Sequence, residues 1–154
     1  MPADGRRKKL VVAVRDALKS ATGVEYFNNL SVAGTVELGR ETTPSMLEGG
    51  SPVVMRVRDL EDRHEPIGGA DTQGRVQIGV DVLVRDAATT LVERLQDVLA
   101  DVTLAIGKNR GLGGQSTTLR LASVDPPTYD FDGQVAYVLV RVAATYDYVA
   151  GADR

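Results

Sequence analysis

The sequence predicts an α+β fold, with a mostly antiparallel sheet and helices packed on one face. Three observations lead there. Several segments alternate apolar and polar residues as strands do, and two others repeat apolar residues every three or four positions as helices do. The two kinds of segment do not alternate strictly, which favours an antiparallel sheet over a doubly wound parallel one. For a chain of 154 residues we expect a single domain over 1–154, with its core at about 10–149.

Two amphipathic helices are predicted. The first spans Leu10 to Ala21, with Gly23 as its expected stop, and the basic run at 6–9 is interpreted as its solvated start. In the second, polar residues such as Asp101 fall off the apolar stripe, and Gly107 is expected to end the helix because glycine adopts the left-handed conformation without strain. The stripe consists of Leu91, Leu95, Val98, Leu99, Val102 and Ile106.

The strands are recognised by their period of two. The clearest spans 75–85, where every second residue from Val76 to Val84 is apolar. The segment 135–148 has one apolar face and a second face that is partly apolar, so both faces should be at least partly covered. Shorter strands are predicted at 53–58 and 118–121, and 31–38 is a weaker candidate.

Three stretches, at about 39–52, 61–74 and 107–116, are rich in glycine, proline or charge and have no apolar period. We expect flexible loops there, and long loops within compact domains often carry function. Because of their expected exposure and their composition, the segments 61–74 and 108–116 are candidate regions of protein contact. The candidate contact residues are Arg63, His64, Lys108 and Arg110.

The residue types for catalysis or metal binding are largely missing. His64 is the single histidine and there is no cysteine, which excludes a thiolate nucleophile, a disulfide and a cysteine-based zinc site. The acidic string at 59–65 lacks the spacing and central glycine of an EF-hand loop. The glycine-rich segment 107–116 follows a helix, whereas phosphate-binding loops lead into one. We therefore expect no enzymatic activity, no metal and no cofactor.

Net charge and hydropathy argue against nucleic acid and a membrane as partners of this chain. The net charge of −3 argues against a general nucleic-acid binder, because such proteins neutralise phosphates with lysine and arginine. The chain has no run of about 20 apolar residues for a membrane span. The apolar run after the basic start, at 10–14, is too short for a signal peptide, so we expect a cytoplasmic origin.

Four features of the layout occur together: a short N-terminal helix, a long alternating strand ending in VLVRD at 82–86, a helix directly after it, and a closing strand ending in TYDY at 145–148. This layout resembles that of the tail terminator, or tail completion, proteins of long-tailed bacteriophages. The resemblance covers about 10–149 and rests on element order and length.

The resemblance implies a structural virion protein without enzymatic activity. It would form a hexameric ring that caps the tail tube and joins the tail to the head, contacting the tail tube protein and a neck or head-completion protein. DNA would pass through the lumen without specific binding, which suits an acidic subunit. The protein would be found in the virion tail, and in the host cytoplasm during assembly.

Other interpretations remain open at this point. Within the structural class, the chain is compatible with another neck protein, such as a head-completion or stopper protein, or with a tail tube subunit. From a different class, it is compatible with a small α+β ligand-binding domain or enzyme, whose pocket would involve the loops around His64 or Arg110.

Overall fold

A computed structural model describes residues 3–39, 42, 47, 52–68, 71–109 and 117–149. These residues form two helices and six strands. In chain order the elements are α1 (Ala3–Lys19), β1 (Val36–Leu38), β2 (Val53–Gly68), β3 (Asp71–Arg85), α2 (Leu91–Lys108), β4 (Thr117–Val124), β5 (Thr128–Asp130) and β6 (Val135–Val149).

The strands form one sheet in the order β1-β2-β3-β6-β4, and β5 pairs with β6 beside the end of β4. All pairings are antiparallel except that of β1 with β2. The central strand β3 pairs with β2 on one side and with β6 on the other, from Asp71 to Arg85. The prediction of an α+β fold with a mostly antiparallel sheet is confirmed.

The main core lies between the sheet and the two helices. Alternate residues of β3, from Val76 to Val84, are completely buried there, and they meet the apolar stripes of α1 and α2. This is the burial that the period-two and helical patterns predicted, because each element buries one face against the next layer. We call the other side of the sheet the outer face.

One end of the outer face is also covered. Val54 and Leu83 are buried there with Leu47, which belongs to the segment between β1 and β2, and Val135 and Tyr137 pack against them. The second apolar face predicted for 135–148 therefore has a partner at this end. Of the loop predicted at 39–52, the structure describes only 39, 42, 47 and 52.

The prediction of a flexible loop at 61–74 is wrong. Residues 61–68 continue β2 and residues 71–74 continue β3, so that Arg63 lies opposite Arg75 and His64 opposite Gly74. This part of the hairpin also pairs with β6, up to Asp71 opposite Val149. Backbone hydrogen bonds form these strands, whereas an apolar period reports only burial of one face. We call residues 61–68 and 71–74 the arm.

The helix ends differ from the predicted ones. Helix α1 begins at Ala3 and ends at Lys19, so the basic run at 6–9 lies inside the helix and Gly23, with φ +116°, falls beyond its end. Helix α2 continues through Gly107, which is not left-handed, and ends where the Asn109 N–H bonds to the Ile106 carbonyl. The loop predicted at 107–116 thus begins later, and 110–116 lies outside the described residues.

Candidate protein-contact surfaces

The outer face carries a buried carboxylate at its centre. Asp81 of β3 is fully buried, and its Oδ2 accepts a hydrogen bond from the Arg58 Nε at 2.8 Å. The Tyr137 hydroxyl donates to the other carboxylate oxygen at 2.5 Å. A buried carboxylate is stable only when it is paired and hydrogen-bonded. This network therefore ties β2, β3 and β6 together across the outer face.

The rest of the outer face is rich in arginine. By strand register, six arginines outside the arm share it with Asp81, although the chain as a whole is acidic. One of them, Arg141, forms an ion pair with Asp125 at 3.0 Å, and this pairing lowers the pKa of the Asp125 carboxyl. Outside the arm, the outer face is thus a cationic surface, and Arg58 and Arg141 are held on it by ion pairs. The six residues are Arg56, Arg58, Arg75, Arg85, Arg120 and Arg141.

A pocket lies at the end of the sheet where β2 begins. It is an open pocket lined by the connection between α1 and β1, the start of β2 and the first turn of α2, and its volume is about 480 Å³. Pockets of this size are typical of sites that take a small ligand or a few side chains. Its lining comprises Phe27, Asn28, Asn29, Leu30, Val32, Ala33, Thr35, Pro52, Val53 and Arg94.

A buried carboxylate fixes one wall of this pocket. Asp101 of α2 is 1% exposed and accepts hydrogen bonds from the backbone N–H groups of Phe27 at 2.8 Å and Asn28 at 2.9 Å. The Asn28 side-chain amide donates to it as well, at 2.9 Å. Asp101 was predicted to lie off the apolar stripe, but it is buried with the stripe because these donors replace water. The wall is therefore anchored to α2.

Arg94 supplies the charge of the pocket. Its Nε is buried without a hydrogen-bond partner, and within the described part of the chain its guanidinium forms no ion pair. Phe27 and Val32 are exposed hydrophobic residues of the same pocket, at 68% and 51% exposure. An unpaired cation beside exposed apolar side chains suits a ligand that carries a carboxylate next to an apolar group.

The four residues predicted from the sequence do not come together in this pocket. Lys108, at the end of α2, pairs with Glu25 and lies 5.6 Å from the Tyr26 ring centroid, and Glu25 raises the pKa of Lys108. Arg63 and His64 are neighbours in the arm, where the structure gives their backbone positions. Arg110 lies outside the described residues.

Two further chemical features were searched for. Within residues 3–39, 52–68, 71–109 and 117–149 and the two isolated positions, no group of three or more His, Cys, Asp or Glu is placed to hold a metal ion. Over the same residues, neither helix is long and apolar enough to cross a membrane.

Comparison with known proteins adds no family assignment. No protein-family model and no curated protein sequence matches this chain.

Proposed function

We propose that this chain is a structural subunit that assembles with copies of itself into a closed ring. The proposal rests mainly on the edge of β2 beyond β1, along which no described strand pairs. Strand β1 pairs only with Met55 to Val57, and among the described residues no strand pairs with this edge from Arg58 to Gly68. An unpaired strand edge is a template for pairing with another chain.

A second, different edge is present on the other side of the sheet. Strand β4 pairs with β6, and within the described residues it has no strand on its outer side. Contacts between two different surfaces are head-to-tail, and they generate rings when the rotation closes or filaments when it does not. The two edges therefore support repeated assembly of identical subunits.

Within this class, we propose the tail terminator of a long-tailed bacteriophage. In this role a hexameric ring caps the tail tube, meets a neck or head-completion protein on its other side, and lets DNA pass through the lumen. The order of helix, long strand, helix and closing strand supports this assignment. Two sheet edges that no described strand covers suit a subunit whose function is contact with other proteins.

A tail tube subunit or another neck protein would use the same edges, and the form of the assembly separates these roles. Light scattering over a concentration series, with negative-stain imaging of the same samples, is expected to give closed rings of about six subunits, free or after tail tubes are added. Open filaments would replace the terminator with a tube subunit. A strict monomer that also fails to cap tail tubes would overturn the proposal.

A variant in β2 tests directly whether this edge pairs with another subunit. Leu60 sits at the register shift between Asp59 and Glu61, and edge strands and bulges are the places in a sheet where proline is found. We expect the Leu60→Pro protein to keep the circular dichroism spectrum of the wild type and to lose assembly, since the pyrrolidine ring of proline blocks pairing with an incoming strand. Leu60→Ala, the matched control, should assemble. Normal assembly of Leu60→Pro would contradict the use of this edge.

A second candidate function is favoured by the pocket around Arg94. An unpaired arginine in a pocket of about 480 Å³ is also what a binding domain for a small carboxylate would present. Thermal stabilisation by a panel of mono- and dicarboxylates would support this function, and its loss in Arg94→Gln would assign it to the pocket.

A further inference from the structure

We propose that the pocket around Arg94 binds the acidic tip of the arm of a second copy, with the Glu65 carboxylate paired to Arg94. This inference rests on the proposed ring, and it names one contact that holds neighbouring subunits together.

The pocket lacks a carboxylate of its own among the described residues. Asp101 is already engaged by Phe27 and Asn28, and Asp97, one helical turn from Arg94, forms no ion pair with it. A buried donor without an acceptor is destabilising, and a carboxylate is the acceptor that matches a guanidinium best. The missing partner is therefore an acidic group from outside the described fold.

The arm has the complementary chemistry. Its residues, 61–68 and 71–74, include four acidic residues against the single arginine Arg63. Near its tip, Glu65 is followed in sequence by Pro66 and Ile67, one acidic residue and two apolar ones. The pocket offers the counterpart, one unpaired cation beside exposed apolar side chains. Charge and hydrophobic complementarity together favour this segment as the occupant.

The arm of the same copy cannot reach the pocket. Val53 lines the pocket and opens β2, whereas Gly68 closes the same strand at the tip of the arm. An extended strand rises about 3.3 Å per residue, so the two ends lie roughly 50 Å apart. The occupant must therefore belong to another copy. Because arm and pocket are different surfaces, the contact is head-to-tail, as a ring requires.

Cysteine cross-linking tests this contact, because the chain has no cysteine of its own. Val32→Cys places a thiol in the pocket, and Ile67→Cys places one on the arm. After oxidation of the mixed single-cysteine proteins, we expect a disulfide-linked dimer whose linking peptides contain 32 and 67. Val92→Cys is the matched control, since Val92 is outside the pocket lining and similarly exposed, at 46% against 51% for Val32. Its yield with Ile67→Cys should be several-fold lower.

Charge reversal tests the pairing itself. Arg94→Glu and Glu65→Arg are each expected to weaken self-association about tenfold or more in light scattering, and the double variant should recover most of it. Arg94→Lys, which keeps the charge, should weaken association less than Arg94→Glu. Recovery by the double variant would separate a direct pair from a change in folding.

The outcomes distinguish the two proposals. If rings form but the 32–67 link is no stronger than the 92–67 link, the arm contact is overturned and the ring stands. If Arg94→Glu is rescued by reversing Glu41 or Glu48 of the same chain, the pocket is filled from within the subunit and the inference is also overturned. If neither association nor tube capping is found with wild-type protein, both proposals are overturned.

Discussion

The Asp101 carboxylate accepts the backbone N–H of Phe27 at 2.8 Å, across 74 positions of sequence. This bond joins the middle of α2 to the connection between α1 and β1. Because the same connection lines the pocket, the shape of the pocket depends on a charge inside the core.

Asp101→Asn is therefore expected to lower the free energy of unfolding by about 1–3 kcal/mol, since an amide replaces one acceptor oxygen by a donor that faces other N–H groups. Urea denaturation would measure this change. Hydrogen exchange should rise at Phe27 and Asn28 before it rises in the sheet. Asp97→Asn on the same helix is the control, with an expected change within about 0.5 kcal/mol. Equal effects of the two variants would contradict the anchoring role.

The network around Asp81 gives a second expectation. Arg58→Met removes the cation and leaves a fully buried carboxylate with the Tyr137 hydroxyl, so the free energy of unfolding should fall by about 3–5 kcal/mol. Tyr137→Phe removes one hydrogen bond and should lower it by about 1–2 kcal/mol. A double-mutant cycle between the two positions should show coupling. Additive effects would mean that the two side chains act on Asp81 independently.

The ion pair of Asp125 and Arg141 predicts a pH dependence. Its hydrogen bonds to Arg141 hold the pKa of Asp125 below the ordinary value of about 3.9. The pair therefore contributes stability above that ordinary pKa, and the contribution is lost as the pH falls through the lower pKa of the folded state. Since both side chains are about one-third exposed, we expect less than about 1 kcal/mol.

A carboxyl titration by NMR measures this effect. The Asp125 resonance of the wild type should titrate below pH 3.9, and Arg141→Gln should move its midpoint up toward that value. Arg56→Gln on β2, a strand that is separated from β6 by β3, is the control variant that should leave the Asp125 midpoint unchanged. An unchanged Asp125 midpoint in Arg141→Gln would rule out the ion pair as the cause.

Apolar periodicity was enough to predict the layers of this fold. The buried face of β3, from Val76 to Val84, and the stripe of α2 both follow the repeat of their secondary structure. The arm was missed because paired strands outside the core have no apolar period. The three-residue strand β5 was missed because it is too short to show a period.

The candidate contact surfaces were harder to predict from the sequence than the layers of the fold. Asp81 and Asp101 have the pattern of solvated charges, and their burial depends on partners that are distant in the chain. Arg94 likewise reads as an ordinary polar helix residue. A local pattern contains no information on which distant donors or apolar walls will surround such a side chain. The composition did indicate correctly that the hairpin segment is charged, although its structure was predicted wrongly.

The position of β3 at the centre of the sheet has a consequence for folding kinetics. Its pairing with β2 is a local hairpin, but its other partner, β6, follows only after α2, β4 and β5. A long loop must therefore close before the second ladder forms, and such non-local pairing slows folding. We expect the closing of β6 onto β3 to set the folding rate, so the central strand starts to form early and is completed last.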